Sequence, residues 1–368
     1  MTLYIKDCII FDIENMNMYS LFKLQQGRVL VLEKNVGIAG IGTYIPQNFI
    51  TAGDISAATG GTWSEDAVKA KLGIVKKPIA LHEGTQEMGY LAAKSCIENA
   101  GIDAKEIDVI LCMGEEYKEY PLTTSALYIQ DKIGAVNAWG IDVQNRCCTT
   151  LSAIKMAKDM LISDDEIDTV LIAGGYRNGD FIDYTDNNVS FMFNLATGGG
   201  AILLRKGLGK NLVLGSHIIA DASLSRTAGV EIGGQANPIT AENAEEAKRS
   251  LRLMDAVTMK NRLNEVSMDN WHKCIDLAFK KSHIPKEQID YLSILHIKRS
   301  GHEALLKDLG LRPEQSIYLE DYGHIGQVDQ ILSLELALKE GRVKDGSVVC
   351  MLSAGIGYVW AASVIKWG

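Results

Sequence analysis

The feature that most constrains this chain is that its α/β pattern occurs twice. The segment 96–114, CIENAGIDAKEIDVILCMG, matches 278–297, AFKKSHIPKEQIDYLSILHI, in its order of apolar, turn and acidic positions. Ile102, Ile107 and Asp108 each have a counterpart 182 residues on, at Ile284, Ile289 and Asp290. Asp131-Lys132-Ile133-Gly134 pairs with Lys307-Asp308-Leu309-Gly310 at a separation of 176, and Gly175 pairs with Gly355 at 180. A slowly drifting separation means small insertions and deletions inside a duplicated unit. The period is far too long for a solenoid. It predicts an α/β protein of two similar halves, with two sheets packed around shared helices. With 368 residues, 47% of them apolar, the chain has the material for such a core.

Residues 1–35 read as an N-terminal extension packed on the surface, with short strands at Cys8–Phe11 and Val29–Leu32. Residues 36–210 form the first half, 211–265 a connecting region and 266–368 the second half. In the first half, strands are expected at 36–46, at 107–112, running into Val143, and at 170–175. A helix over 86–100 presents Met88, Leu91, Ala92, Cys96 and Ala100 on one stripe. Another starts near Cys148, with Leu151, Ile154, Ala157 and Leu161 as its apolar face.

A net charge of −9 speaks against a nucleic-acid partner. No apolar run reaches membrane-spanning length, and the acid-bearing first residues do not read as a signal peptide. The seven cysteines form no CxxC pair. That points to a reducing, cytoplasmic setting with neither a disulfide framework nor a metal site.

Cys147 falls where a strand turns into a helix. Unpaired backbone N–H groups and the helix dipole favour thiolate over thiol there, and a thiolate attacks thioester carbonyls. A buried structural cysteine is the alternative. Its counterpart 177 residues on is His324, in Tyr322-Gly323-His324-Ile325. If the halves pack with pseudo-twofold symmetry, the two turns face each other. His296 ends the apolar run 291–295, where open α/β sheets place functional groups. The glycine-rich stretches 196–201 and 355–357 serve either as phosphate loops or as donors to an oxyanion.

At Ile141-Asp142-Val143-Gln144-Asn145-Arg146-Cys147 the chain resembles the thiolase superfamily and, more narrowly, β-ketoacyl-ACP synthase III. The resemblance runs over about 36–368. It includes the Lys71-Leu72-Gly73-Ile74 turn, His296 after its strand, and the closing SAGIGYVWAASVIKW (353–367). It implies a duplicated thiolase-like fold in five α-β-α-β-α layers. Cys147 would accept an acyl group from a CoA or carrier-protein thioester. His296 and His324 would hold the carbonyl of malonyl-ACP as it loses CO₂. Backbone N–H groups of Cys147 and of Gly355-Ile356-Gly357 would form the oxyanion hole.

The chain departs from the type III pattern at several points. His324 stands where those enzymes have Asn, giving the Cys-His-His set of chain-elongating synthases. Ile297-Lys298-Arg299 replaces Gln-Ala-Asn. Lys71 stands where an Arg contacts CoA, and Ala67 where a Trp stacks on adenine, with Trp63 one helical turn away. Arg146 replaces a small residue. Ser353-Ala354-Gly355 lacks the second cysteine of a thiolase.

The resemblance further implies a homodimer with Tyr120-Pro121 reaching across, acyl-CoA and acyl carrier protein as partners, and no metal or redox cofactor. Lys298, Arg299, Arg249 and Arg252 are the basic residues read as facing CoA or the acidic carrier protein. Two other readings stand beside this one: an acyltransferase that hands its acyl group to an alcohol or amine, and a non-catalytic partner of a synthase.

Overall fold

Apolar runs of strand length build nine strands: β1 (Val36–Tyr44), β2 (Val109–Met113), β3 (Trp139–Val143), β4 (Thr169–Tyr176), β5 (Gly198–Lys206), β6 (Leu212–Ala220), β7 (Tyr291–Ile294), β8 (Val348–Gly355) and β9 (Val359–Lys366). The principal helices are α1 (Thr85–Ala100), α2 (Ser125–Ile133), α3 (Thr149–Ser163), α4 (Ala256–Ser282), α5 (Arg299–Asp308) and α6 (Asp329–Lys339). This computed structural model describes residues 22–25, 28–31, 35–114 and 117–368. Residues 22–25 and 28–31 pair as an antiparallel hairpin, matching the strand expected near 29–32. The strand expected at Cys8–Phe11 lies outside the described residues.

The nine strands line up as β7-β8-β9-β6-β1-β5-β4-β2-β3. Between β6 and β1 the sheet is held by the single pair Leu212↔Gly37. The array is therefore two sheets hinged at one bridge, and they repeat each other. β2 is parallel to β4, and β5 antiparallel to β4 and to β1. Likewise β7 is parallel to β8, and β9 antiparallel to β8 and to β6. The stretch 211–265 contributes β6 to the second sheet and the first turns of α4, the helix that packs on that sheet's outer face.

Side chains alternate across each strand, and the alternation sorts the interior into three cores. Val170 and Ile172 of β4, with Val349 and Met351 of β8, face a central core that also takes Leu151, Ile154, Ala157 and Leu161 of α3 and Ile331 and Leu334 of α6. Leu171 and Ala173 face outward onto Ala92 and Cys96 of α1 and Ala126 of α2. Val348, Cys350 and Leu352 face outward onto Ile275 and Phe279 of α4. Three cores between two sheets and three helix layers give the expected five-layer α-β-α-β-α arrangement.

The duplication holds at the level of single hydrogen bonds. Asp108, just before β2, accepts on Oδ2 from the N–H groups of Asp168 (2.8 Å) and Thr169 (2.9 Å) at the start of β4. Asp290, just before β7, accepts from Val348 N–H (2.8 Å) at the start of β8. The halves differ where β3 would recur. Residues 316–319 run beside β7 without forming a ladder, tied by Ser316 Oγ to the Leu292 carbonyl (2.8 Å).

The run Gly198-Gly199-Gly200 is no phosphate loop, because it forms the first residues of β5. Its glycines serve close packing: a Cβ on Gly199 would sit 2.2 Å from the Met88 carbonyl of α1.

The paired aspartates make a prediction. Asp108→Ala removes two charge-assisted bonds from a half-buried site, and Asp290→Ala removes one from an exposed site. Asp108→Ala should cost about 2–3 kcal/mol and Asp290→Ala about 1 kcal/mol, read as shifts in denaturant midpoint at unchanged slope.

Candidate functional site

Cys147 is placed by a tight turn between β3 and α3. Residues 146–148 form one 3₁₀ turn leading into α3. Arg146 adopts a left-handed backbone with φ of 52°, an uncommon conformation for a residue with a Cβ, which re-aims the next side chain. Ser353 Oγ of β8 donates to the Cys147 carbonyl (2.7 Å), and Thr149 Oγ1 donates to the Arg146 carbonyl (2.6 Å). The second half repeats the geometry. Gly323, 177 residues after Arg146, has φ of 62°, and only glycine fits, since a Cβ would meet the Asn194 carbonyl at 2.6 Å.

The two turns do face each other. Cys147 Sγ lies 3.1 Å from His324 Nε2. Thr150 Oγ1 also donates to the carbonyl of its own counterpart, Gln327. Each of these residues touches the position 177 along the chain that the duplication makes its equivalent. That is possible only on the pseudo-twofold axis, so the thiol–imidazole pair sits at the centre of the molecule.

A carboxylate that the sequence reading did not single out organises the site. Asp329, at the start of α6, is fully buried. Its Oδ2 accepts from His324 Nδ1 (2.6 Å) and from the His296 backbone N–H (2.7 Å), and its Oδ1 accepts from Ile325 N–H (2.7 Å). Burial opposes charge on His324, but Asp329 and Cys147 outweigh it and hold the imidazole well above its ordinary range. The arrangement Cys147–His324–Asp329 can take a proton from the thiol, store it and return it. One signal was available: an acid five residues past His324, at a helix start.

His296 hangs from the same carboxylate by its backbone. Its ring is buried, with Nδ1 3.1 Å from Asn194 Nδ2 and Nε2 3.2 Å from the Gly73 carbonyl. Burial pushes this imidazole down to about 4, although Asp329 pulls the other way. His296 is therefore a neutral ring at neutral pH, while His324 is biased toward imidazolium.

The remaining residues named from sequence have surroundings of their own. A Cβ added to Gly355, at the end of β8, would lie 3.1 Å from the Cys147 amide nitrogen, so this strand end lies against the Cys147 N–H. Ile356 and Gly357 form the turn into β9. Lys71 lies over the Trp63 ring at 5.7 Å. Arg299 pairs with Glu320 and stacks 4.2 Å from the Tyr318 ring. Arg252 is engaged by Asp183 and Glu246, whereas Arg249 and Lys298 are exposed. His302 is buried edge-on against Tyr318, 5.2 Å between ring centres.

Residues 141–222 match the family described as 3-oxoacyl-[acyl-carrier-protein] synthase III, and residues 279–367 match its C-terminal counterpart. The β-ketoacyl-[acyl-carrier-protein] synthase III of Azobacteroides pseudotrichonymphae is 27% identical over 336 residues, covering 90% of this chain and 97% of that one. The protein of the same name from Symbiobacterium thermophilum is 27% identical, covering 90% of this chain and 98% of that one. Among solved structures, 3-oxoacyl-[acyl-carrier-protein] synthase III of Aquifex aeolicus superposes with a TM-score of 0.77 at 20% identity, over 90% of this chain and all of that one. Xanthomonas campestris OleA, solved with lauric acid and lauroyl-CoA, superposes at 0.76 and 17% identity, over 91% of this chain and all of that one.

The Asp329 contacts predict a readout at the thiol. Asp329→Asn leaves His324 less able to hold a proton, so alkylation of Cys147 by iodoacetamide at pH 7 should slow about tenfold. The alkylated peptide and its rate against pH report this directly.

Proposed function

Because the chain is a β-ketoacyl-ACP synthase III-like condensing enzyme of the thiolase superfamily, we propose that it loads an acyl group onto Cys147 and joins it to the carbanion released from malonyl-ACP. The observation that carries this reading is the 3.1 Å contact between Cys147 Sγ and His324 Nε2, backed by buried Asp329. The Cys147 sulfur attacks the thioester carbonyl as its proton passes to His324. The tetrahedral oxyanion sits against the Cys147 amide and the strand end at Gly355, in the role the resemblance gives to Gly355-Ile356-Gly357. The donor thiolate leaves with the proton from His324, and an acyl-enzyme remains.

In the second half-reaction the malonyl C–C bond breaks and its electron pair becomes an enolate, with loss of CO₂. His296 donates from Nε2–H to the developing enolate oxygen, while His324, its proton given to the departing thiol, keeps only the Nδ1–H that Asp329 accepts. The enolate carbon attacks the acyl carbonyl, the Cys147 sulfur leaves as thiolate, and a β-ketoacyl-ACP departs. Every electron pair comes from the substrates or from Cys147, so the proposed chemistry calls for no cofactor.

Donor choice, CoA or carrier protein, rests on the basic residues named from sequence. Lys298 and Arg249 are exposed and present their charge outward, while Arg299, Arg252 and Lys71 are drawn toward local partners. Six free cysteines among the described residues support a reducing, cytoplasmic setting. Among those residues no helix is long and apolar enough to cross a membrane.

A second reading draws on the same triad. An imidazole backed by a buried carboxylate can also deprotonate an alcohol or amine, which would turn acyl-Cys147 into a donor to oxygen or nitrogen. Malonyl-dependent CO₂ release separates the two. Wild-type protein given an acyl-CoA or acyl-ACP should gain one acyl mass on the Cys147 peptide, and added malonyl-ACP should discharge it with one CO₂ per turnover. Cys147→Ser should lose at least about 10³-fold in turnover. Acyl discharge without CO₂ would move the assignment to the second reading. Absence of any adduct would favour the non-catalytic one.

The homodimer is proposed at the free edge of β3. Trp139 and Ile141 are exposed there, with Val136 and Leu127 beside them. Residues 117–124 are tied to the same strand through Lys118 Nζ and Asp142 (3.1 Å), and this loop carries exposed Tyr120. An apolar, unpaired sheet edge is a template for a second copy. Native mass should give a dimer, and Ile141→Glu should shift it to monomer.

A further inference from the structure

Two side chains that the chemistry above does not use converge on the backbone beneath both histidines. The loop Phe193-Asn194-Leu195 passes under the site. The Asn194 carbonyl accepts the His324 backbone N–H (2.8 Å), the His324 carbonyl accepts from Ala196 N–H (2.8 Å), and the Asn194 side chain meets the His296 ring. Lys77 is buried inside the protein, 1% exposed; burial pulls its amine down to about 7, and Asp180 is the neighbouring acid that favours its charge. Its Nζ donates to the carbonyls of Phe193 (2.7 Å) and Leu195 (2.5 Å), one on each side of Asn194. The amine also faces the Tyr184 ring at 5.3 Å. Burying an ammonium group is costly unless its protons are met. Here Nζ meets two carbonyls of the one loop that holds both histidines.

The hydrogen-bond chemistry at His296 admits one arrangement. The Gly73 carbonyl can only accept, so Nε2 carries the proton. In a neutral ring Nδ1 is then an acceptor, and Asn194 must present its amide N–H₂ to it. We propose that Asn194 fixes His296 as the Nε2–H tautomer and that Lys77 holds Asn194 where it does so, making both of them positioning residues for carbon–carbon bond formation. The Nε2–H that points at Gly73 is then the donor available to an enolate oxygen that takes the place of that carbonyl. This inference rests on the role given to His296 above.

The consequences separate the two half-reactions. Asn194→Ala keeps the backbone that holds His324, so Cys147 should still acylate within about threefold of wild type. Condensation should fall about 10–100-fold, the usual cost of losing a partner that orients a ring. Asn194→Asp makes a further demand. A carboxylate at that position takes the proton on Nδ1, so Nε2 keeps its own proton only while the ring is charged. Asp329 favours that charge, while His324 and the neighbouring His302 oppose it. Condensation by Asn194→Asp should therefore be retained at low pH and lost as pH rises, whereas in wild type His296 imposes no such loss between about pH 5 and 8. Lys77→Met frees the backbone under both histidines and should lower both half-reactions.

The test pairs single-turnover assays of acylation and CO₂ release with nitrogen-15 spectra of the histidine rings, His296 being assigned by its loss in His296→Gln. A neutral Nε2–H ring in wild type, displaced in Asn194→Ala, together with the split between half-reactions, is the expected result. The proposal falls if the wild-type ring carries its proton on Nδ1, if Asn194→Ala condenses at the wild-type rate, or if acylation and condensation fall together in that variant. The Lys77 part falls if folded Lys77→Met keeps both rates. If wild type never acylates, the functional reading fails on its own, and the spectra still decide the tautomer.

Discussion

The buried carboxylate of Asp329 is the constraint from which the site follows. A charge with no exposure must have its lone pairs met inside the protein. Asp329 meets them with the backbone N–H groups of Ile325 and His296 and the ring of His324. Those three donors come from the end of β7 and from the turn before α6. The carboxylate thus ties the strand end that carries one histidine to the turn that carries the other. It also sets the sign of the electrostatics, biasing His324 toward charge while burial keeps His296 neutral. One imidazole is suited to exchanging a proton with sulfur, and the other to donating a hydrogen bond from a neutral ring.

The pseudo-twofold axis explains why such a site exists in a duplicated fold. Two equivalent turns that meet on an axis present two copies of the same position to each other. Divergence after duplication can then place a thiol at one and an imidazole at the other. Cys147 and His324 are that pair, and the left-handed residues before them, Arg146 and Gly323, preserve the common turn. Asymmetry elsewhere has the same origin. The fifth strand of the first sheet, β3, has no laddered counterpart at 316–319. There the chain packs Tyr318 between His296, 5.1 Å away, and His302 instead. The second sheet's edge is thereby given over to the surroundings of the site.

Buried polar groups do for the site what the apolar cores do for the layers. Ser353 holds the Cys147 carbonyl, Lys77 holds the loop under both histidines, and Gln327 Nε2 caps the Met113 carbonyl (2.9 Å) at the end of β2. Each satisfies a backbone group that the crowded centre has cut off from water. The result is a thiol and two imidazoles fixed by short, directional contacts.

Sequence alone determined the layers and the two turns. Period-2 and period-3.6 apolar patterns are local, so β4, β8, α1 and α3 were legible from their own residues, and the repeat at separations of 176–182 paired them into halves. Cys147 and His324 were legible as partners because duplication converts a sequence offset into a spatial relation. Glycine content was ambiguous: Gly198–Gly200 carry the composition of a loop yet lie in β5, since only the packed helix α1 reveals why a Cβ is excluded there. Asp329, Asn194 and Lys77 were decided by the tertiary structure. Lys77 lies 116 residues from the Phe193 carbonyl it meets, and Asn194 lies 102 residues from His296. No periodicity links such positions. Whether an aspartate, an asparagine or a lysine is a solvated surface group or the fixed partner of a buried imidazole or loop depends on burial and on what its polar atoms meet there, and both are properties of the folded chain.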